Sequence, residues 1–362
     1  MARMVHMYYR HLLVPRTNLK PAVSGSHKRP PWPGCTISLS PASHPRQTAA
    51  VLALLSLSLL FQACSRVPNT VAVIPRSCGT VLWEPEHAGV AHVARGKGLK
   101  VYWNAPPRED DVEGQIHLLE KVLARGYAGV IISPDQTLPL RTPVRRLVSR
   151  GLPVVVVGTN LGVLPGAKLS YVLNDDTVGG QIAARRLGKI LDGKGSIAIL
   201  GINPQLTGIT VRERSFENTL EREYPGIQVV ARRLGYYSVA QEQQVAEDIL
   251  NRGKPVDAIL ALSHTSTRGA FYALVEFDKT HSIKLVGFDQ DLMPPIRTGD
   301  IDSVVMQRSY DMGRVAMELM DAEVHGRTVP GITMLTPMLM TRENIDSAEV
   351  RGQLSANWWA IQ

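Results

Sequence analysis

From residue 70 onward, short continuous apolar runs alternate with stretches in which apolar residues return every three or four positions. Runs at 71–74, 99–103, 129–132 and 154–157 are rich in β-branched residues, as strands buried on both faces of a parallel sheet are. Between them Val112, Ile116, Leu119 and Leu123 keep one face at helical spacing. A second set of strand-like runs lies at 196–200, 228–232, 258–262 and 284–288. A further crossing at 304–307, a helix over 310–324 and a last strand over 334–340 follow. Little order is expected after Asp346, with Trp358-Trp359 near a frayed end. Two strand–helix arrays of similar size, with no long linker between them, predict an α/β protein of two doubly wound, Rossmann-like lobes.

The stretch from Gly151 to Leu187 joins the arrays. Gly-Leu-Pro-Val-Val-Val-Val-Gly is a buried strand between breakers. After a loop, 171–173 is extended again, and Asn174-Asp175-Asp176 offers helix N-caps. Val178, Ile182 and Leu187 then mark a helix face. The last strand of one lobe thus leads into the first helix of the next. The expected division is 70–172 with 308–333 for the N-terminal lobe, 173–307 with 334–346 for the C-terminal lobe, and 347–362 as a tail.

Residues 1–63 are different. The first 46 are rich in Pro, Ser and basic residues without a periodic face, and 49–61 is a continuous apolar run. That run has the length of a signal-peptide core and is short for a membrane span. It ends Leu60-Phe61-Gln62-Ala63-Cys64-Ser65, which resembles a bacterial lipobox, so Cys64 is expected to be lipidated, leaving 64–69 as a short tether. Plain secretion with cleavage elsewhere is the alternative. A leader of this length exceeds the usual roughly 15–30 residues, which implies a start placed too far upstream. The chain of 362 residues carries 40 Lys and Arg against 32 Asp and Glu, but seven of the basic residues and none of the acidic ones precede Cys64. The body is therefore nearly neutral, 33 against 32, and lacks the basic excess that nucleic-acid binding needs. Cys78 is the body's lone cysteine beyond Cys64, so it is expected as a free thiol, either near a cleft mouth or as a small buried residue.

No catalytic constellation emerges. Gly188 to Gly195 is a near miss to a phosphate-binding loop, but Gly195 replaces the hydroxyl residue after Lys194, and the segment closes a helix instead of opening one. It reads as a helix C-cap and turn. The ten histidines have no metal-ligand spacing, and no cofactor or metal is expected. What stands out is a set of polar and aromatic residues just past strand ends, where open α/β sheets bind ligands: Trp83, Arg212, Tyr236 and Tyr237, Ser263, Asp289 and Gln307. Singly, each has a plainer role as a cap, a core ring or a surface residue.

Together with Asn174-Asp175-Asp176-Thr-Val-Gly-Gly-Gln-Ile-Ala, Arg212-Glu-Arg-Ser-Phe, Val286-Gly-Phe-Asp289, and Gln307 six residues before Gly313, these runs resemble type I periplasmic binding proteins of the sugar-binding branch. The resemblance covers residue 70 to about Asp346. It implies two lobes joined by a multi-strand hinge, closing on a small polar ligand, with a sugar expected, and delivery to an ABC permease. It further implies ligand contacts from Trp83, Arg212, Tyr237, Asp289 and Gln307, with Ser263 and Thr80 standing where ribose-type members carry Asn. Gly158-Thr159 replaces the Asp-Arg pair of those members, so the ligand's identity does not transfer. The protein is then expected on the periplasmic or extracellular face, anchored through Cys64. A binding protein that signals to a membrane kinase is the alternative, and a transcriptional regulator of the LacI type would need a DNA-binding helix pair where the apolar leader stands.

Overall fold

The computed structural model describes residues 69–357, except Gly79, Gly253 and Asp291. The leader, Cys64 and Trp358-Trp359 lie outside the described residues. Two six-stranded sheets form the framework. The first contains β1 (Thr70–Ile74), β2 (Lys100–Trp103), β3 (Gly129–Ile132), β4 (Val154–Val157), β5 (Leu169–Asn174) and β11 (Ile332–Leu335), in the order β11-β5-β4-β3-β1-β2 with every pair parallel. The second contains β6 (Lys194–Ile202), β7 (Gly226–Leu234), β8 (Ala258–Ala261), β9 (Lys284–Phe288), β10 (Ser303–Met306) and β12 (Met338–Thr341), in the order β12-β10-β9-β8-β6-β7. There β12 alone runs antiparallel.

Burial explains why the valine run is a central strand. Its side chains alternate between faces: Val154 and Val156 pack with Leu140, Val144 and Leu147 of α3 (Thr137–Ser149), while Val155 and Val157 pack with Met312, Ala316 and Met317 of α9 (Ser309–Val324). All four are fully buried, and each contributes about 1.5–3 kcal/mol through removal from water. Beside α9 on the same sheet face lies α1 (Glu84–Gly96), and α2 (Val112–Arg125) completes the first lobe. The second lobe is clothed by α4 (Asp176–Ile190), α5 (Thr207–Glu223), α6 (Val239–Arg252), α7 (His264–Glu276) and α8 (Met293–Thr298).

The chain passes between sheets three times: at Asp175 between β5 and α4, at Gln307-Arg308 between β10 and α9, and at Thr336-Pro337 between β11 and β12. The single last strand expected over 334–340 is therefore two strands in different sheets, because Pro337 cannot donate to a ladder. The tail also differs from expectation. α10 (Ala348–Gln353) follows Asp346, capped by Ser347, with Val350 buried in the second-lobe core and Gln353 bonded to Asp311 of α9 at 2.6 Å. One apolar anchor and one polar clamp hold a helix too short to show a period.

Asp175 is the N-cap of α4, its carboxylate accepting from the Val178 amide at 3.0 Å. The buried face of α4 is Gly179, Gly180, Ala183, Ala184 and Leu187, with Val178 and Ile182 only partly covered. Small residues form it because α5 lies so close that a Cβ on Gly180 would sit 2.4 Å from the Arg212 carbonyl oxygen. The Gly188–Gly195 segment ends α4 and turns into β6, with Asp192 and Gly193 at φ 49° and 73°. Cys78 is an exposed free thiol beside the carbonyls of Ala105 and Pro106, which removes the buried alternative.

Candidate functional site

In each sheet the chain winds outward in both directions from one strand, β1 in the first and β6 in the second, and the carboxyl ends at such switch points are where a crevice opens. Here the two crevices share one cleft, about 870 Å³ with its open mouth included, at the place where open α/β sheets bind ligands. Trp83, Arg212, Tyr237, Ser263, Asp289 and Gln307 all line it.

Asp289 follows β9 in the left-handed region at φ 70°, uncommon for a residue with a side chain. One carboxylate oxygen accepts from Gln307 Nε2 at 2.7 Å and the other from the His264 amide at 3.2 Å. Gln307 Oε1 in turn accepts from Asn174 Nδ2. A relay thus connects Asp289 through two of the three inter-sheet crossings, so a ligand that engages Asp289 also touches the hinge.

Arg212 is buried on α5. Its Nε donates to Asp176 at 2.6 Å, Nη1 donates to the Leu262 carbonyl at 2.9 Å, and the guanidinium lies 4.6 Å from the Phe288 ring centroid. Burial opposes its charge, but Asp176 and Asp289 more than restore it, and its pKa is raised. Removing Arg212 would leave the partly buried Asp176 carboxylate without its partner and destabilise the lobe. The residue is as much a part of the lobe as of its lining.

Ser263 caps α7 in a reciprocal capping box with Ser266. Trp83 ends a 3-10 turn over Val81–Trp83 and donates from Nε1 to Glu109 at 3.2 Å. Burial, first, and Asp135 push the Tyr237 phenol up, while neighbouring Tyr236 is 46% exposed. Thr80 sits elsewhere. Its hydroxyl caps that 3-10 turn, accepting from the Leu82 amide at 3.3 Å, and it lines the outer groove around Val81 and Leu234 instead of the inner cleft.

Five further charged residues line the cleft that strand-end reasoning passed over: Arg76, Glu86, Glu109, Asp176 and Glu242. Arg76 follows β1 by two residues, so the same rule would have found it. Asp176 stood in the Asn-Asp-Asp cap. Glu86, Glu109 and Glu242 come from helices and a loop, where no local pattern distinguishes them from surface acids. The lobes meet across the mouth at Thr137 and Thr207, whose hydroxyls are 3.3 Å apart, and at Glu109 and His264, 3.7 Å apart.

Burial pushes the carboxyls of Glu86 and Glu242 up to about 7, against the opposing pull of Ser133 and Arg76 on the first and of the Tyr236 amide and His264 on the second. Burial also raises Asp135 to about 7, while it lowers the His87 imidazole to about 4. An acid whose folded pKa lies above its unfolded value destabilises progressively as pH rises from about 4.5 to about 7, at roughly 1.4 kcal/mol per unit. A depressed histidine acts oppositely, losing stability as pH falls below about 6.5. Three acids outweigh one imidazole, so the melting temperature of the ligand-free protein rises between pH 7.5 and 5.5. Glu242→Gln keeps the acceptor for the Tyr236 amide and flattens that slope. A slope unchanged by the substitution would show that Glu242 titrates normally.

Comparison with known proteins agrees with this architecture. The family model described as a periplasmic binding protein domain matches residues 71–328. The D-allose-binding periplasmic protein of Escherichia coli (strain K12) is 25% identical over 72% of this chain and 86% of its own length. The ribose import binding protein RbsB of Bacillus subtilis (strain 168) is 24% identical over 77% and 94%. Among solved structures, a carbohydrate transporter solute binding protein from Agrobacterium radiobacter, in complex with D-arabinose, has a TM-score of 0.73 at 24% identity, covering 80% of this chain and all of that one. Since the match runs through both sheets and across the first two crossings between them, this chain belongs to the type I periplasmic binding protein family.

Proposed function

We propose that this protein captures a sugar between its two lobes outside the cytoplasm and delivers it to an ABC permease, without transforming it. The observation that carries the reading is the cleft itself. It sets aromatic rings, Trp83 and Tyr237, beside hydrogen-bonding carboxylate, amide and guanidinium groups, Asp289, Gln307 and Arg212, the mixture a sugar's apolar faces and hydroxyl rim require. Relatives named for D-allose, D-apiose, xylitol and ribose support it. Trp83 and Tyr237 would stack on the ring, and the polar groups would exchange hydrogen bonds with hydroxyls, those to charged groups being the stronger. Ligand drives closure only as far as it binds the closed arrangement better than the open one.

The test is a thermal-shift screen of the mature protein against aldoses, polyols and amino acids. A sugar at 100 times its Kd stabilises by about 2.7 kcal/mol. A protein stabilised by amino acids alone would overturn the sugar assignment.

The anchor belongs to the same proposal. Lipidation of Cys64 would leave five residues, 65–69, before β1, a reach of at most about 17 Å, and would hold the protein against its membrane. Cells expressing the native chain should carry it in the membrane fraction, and cells expressing Cys64→Ser should release it. Membrane association that survives the substitution would sink the lipoprotein reading.

A further inference from the structure

We infer that Arg76 is a specificity-determining residue of the cleft, gripping two adjacent hydroxyls of a neutral sugar from the first lobe while Thr159 holds its guanidinium in place. The inference rests on the sugar-capture reading above and adds to it a residue and a mode of recognition. Arg76 lies two positions beyond β1, at the switch point of the first sheet. Its Nε donates to the Pro134 carbonyl at 3.0 Å and Nη2 donates to Thr159 Oγ1 at 2.9 Å. Thr159 is buried and its own hydroxyl donates to Pro134 at 3.3 Å. The Trp83 ring, 5.7 Å from the guanidinium carbon, packs against the same group. Three neighbours thus fix the guanidinium, which is how a flexible arginine becomes a rigid fork.

What the fork is left to bind follows from its remaining donors. Among the described residues Nη1 has no hydrogen-bond partner, and no carboxylate forms an ion pair with Arg76. Arg212 differs, being closed off by Asp176 at 2.6 Å. The buried Glu86 does not take it up: both of its oxygens are turned to the Ser133 hydroxyl, at 3.1 and 3.4 Å. Among the described residues lining the cleft, Arg76 is the first lobe's one cation. Gly158 and Thr159, past β4, supply no charged side chain of their own. The charged donor that meets a ligand from this side is therefore Arg76.

Two ligand groups present adjacent oxygens to such a fork, a vicinal diol and a carboxylate. The cleft favours the diol. Glu109 and Asp289 line it as well, and two like charges about 4 Å apart repel by about 4 kcal/mol at an effective dielectric of 20. With Arg212 already paired, one free cation does not offset two carboxylates for an anionic ligand.

The experiment is isothermal titration of the mature wild type, Arg76→Lys, Arg76→Met and Thr159→Val with D-ribose, D-allose, D-arabinose, D-xylose, D-glucose and xylitol, together with D-ribonate and D-gluconate. Wild type should prefer one sugar over its epimers. Arg76→Met should weaken that sugar by at least about 30-fold and collapse the ranking among epimers, since a site that loses its oriented donors loses discrimination with affinity. Arg76→Lys should lose about tenfold and flatten the ranking partly, and Thr159→Val should shift both in the same direction by less. A merely structural Arg76 would lower the ligand-free melting temperature and leave the ranking intact. If Arg76→Met does not fold, the lysine and valine variants decide. Wild-type affinity and ranking in the Arg76 variants would overturn the inference while leaving sugar capture standing. Preference of wild type for the sugar acids would overturn the diol, and failure of wild type to bind any sugar would overturn the function itself.

Discussion

Asp289→Ala abolishes ligand-driven stabilisation, and the protein still folds. Hydrogen bonds to a charged group contribute about 1.5–3 kcal/mol each, so losing the carboxylate that faces the cleft lowers sugar affinity by at least about 100-fold. The substitution also frees Gln307 Nε2 and the His264 amide from their acceptor, loosening the relay to Asn174 at the hinge. A second effect has to be separated from the first. Asp289 sits at φ 70°, where an ordinary side chain costs about 1–2 kcal/mol and Asn or Asp less. Alanine therefore lowers the ligand-free melting temperature by several degrees, whereas Asp289→Asn, which suits the left-handed backbone and keeps one of the two acceptors, lowers it by less and still loses most of the ligand shift. The measurement is the melting temperature of each variant with and without the best sugar from the screen. A wild-type ligand shift in Asp289→Ala would reduce Asp289 to a backbone-positioning residue and take the cleft assignment with it.

Gly313→Ala should be the most destabilising single methyl group in the first lobe. Helices α1 and α9 cross with glycine against backbone on both sides. A Cβ on Gly313 would lie 2.0 Å from the Glu86 carbonyl oxygen, and one on Gly89 would lie 2.1 Å from the Tyr310 carbonyl oxygen. Backbone cannot rotate aside as a side chain can, so the helices must separate. Overpacking of this kind costs about 1–3 kcal/mol and occasionally more, and the expected loss is at least about 3 kcal/mol in urea unfolding. The separation also displaces Glu86 and the start of α1 behind Trp83, so sugar binding weakens with stability. Gly96→Ala is the control. Its Cβ meets nothing within 4 Å, and in a helix the change from Gly to Ala gains up to about 1 kcal/mol. Equal effects at 96 and 313 would show that the crossing is not the close contact described.

The strands were legible in the sequence because parallel, doubly buried strands need continuous apolar runs, and nothing else in the chain concentrates β-branched residues that way. Val154 to Val157 names itself as a central strand, and Asn174-Asp175-Asp176 names the start of the next helix. Asp289, Gln307, Ser263 and Tyr237 were also legible, since each stands within three residues past a strand, and the strand ends of open sheets converge. The limits have the same origin. A run over 334–340 reads as one strand because hydropathy records burial but not the sheet in which burial occurs. Thr80 follows a strand loop yet faces the outer groove, because a three-residue turn redirects the chain after the rule has been applied.

By itself, then, the sequence determined two α/β lobes, the strands that build them, and most of the residues that reach the cleft from strand ends. These depend on local spacing, which a single segment carries. Only the tertiary structure decided which groups share a hydrogen bond across the cleft. Arg76 on Thr159, 83 positions away, Arg212 on Asp176, and Gln307 between Asp289 and Asn174 are set by how two sheets stack their edges. The same packing decided that Glu86 and Glu242 are buried acids and that Gly89 and Gly313 meet backbone. Burial and contact distance are properties of two segments at once, and neither segment records them alone.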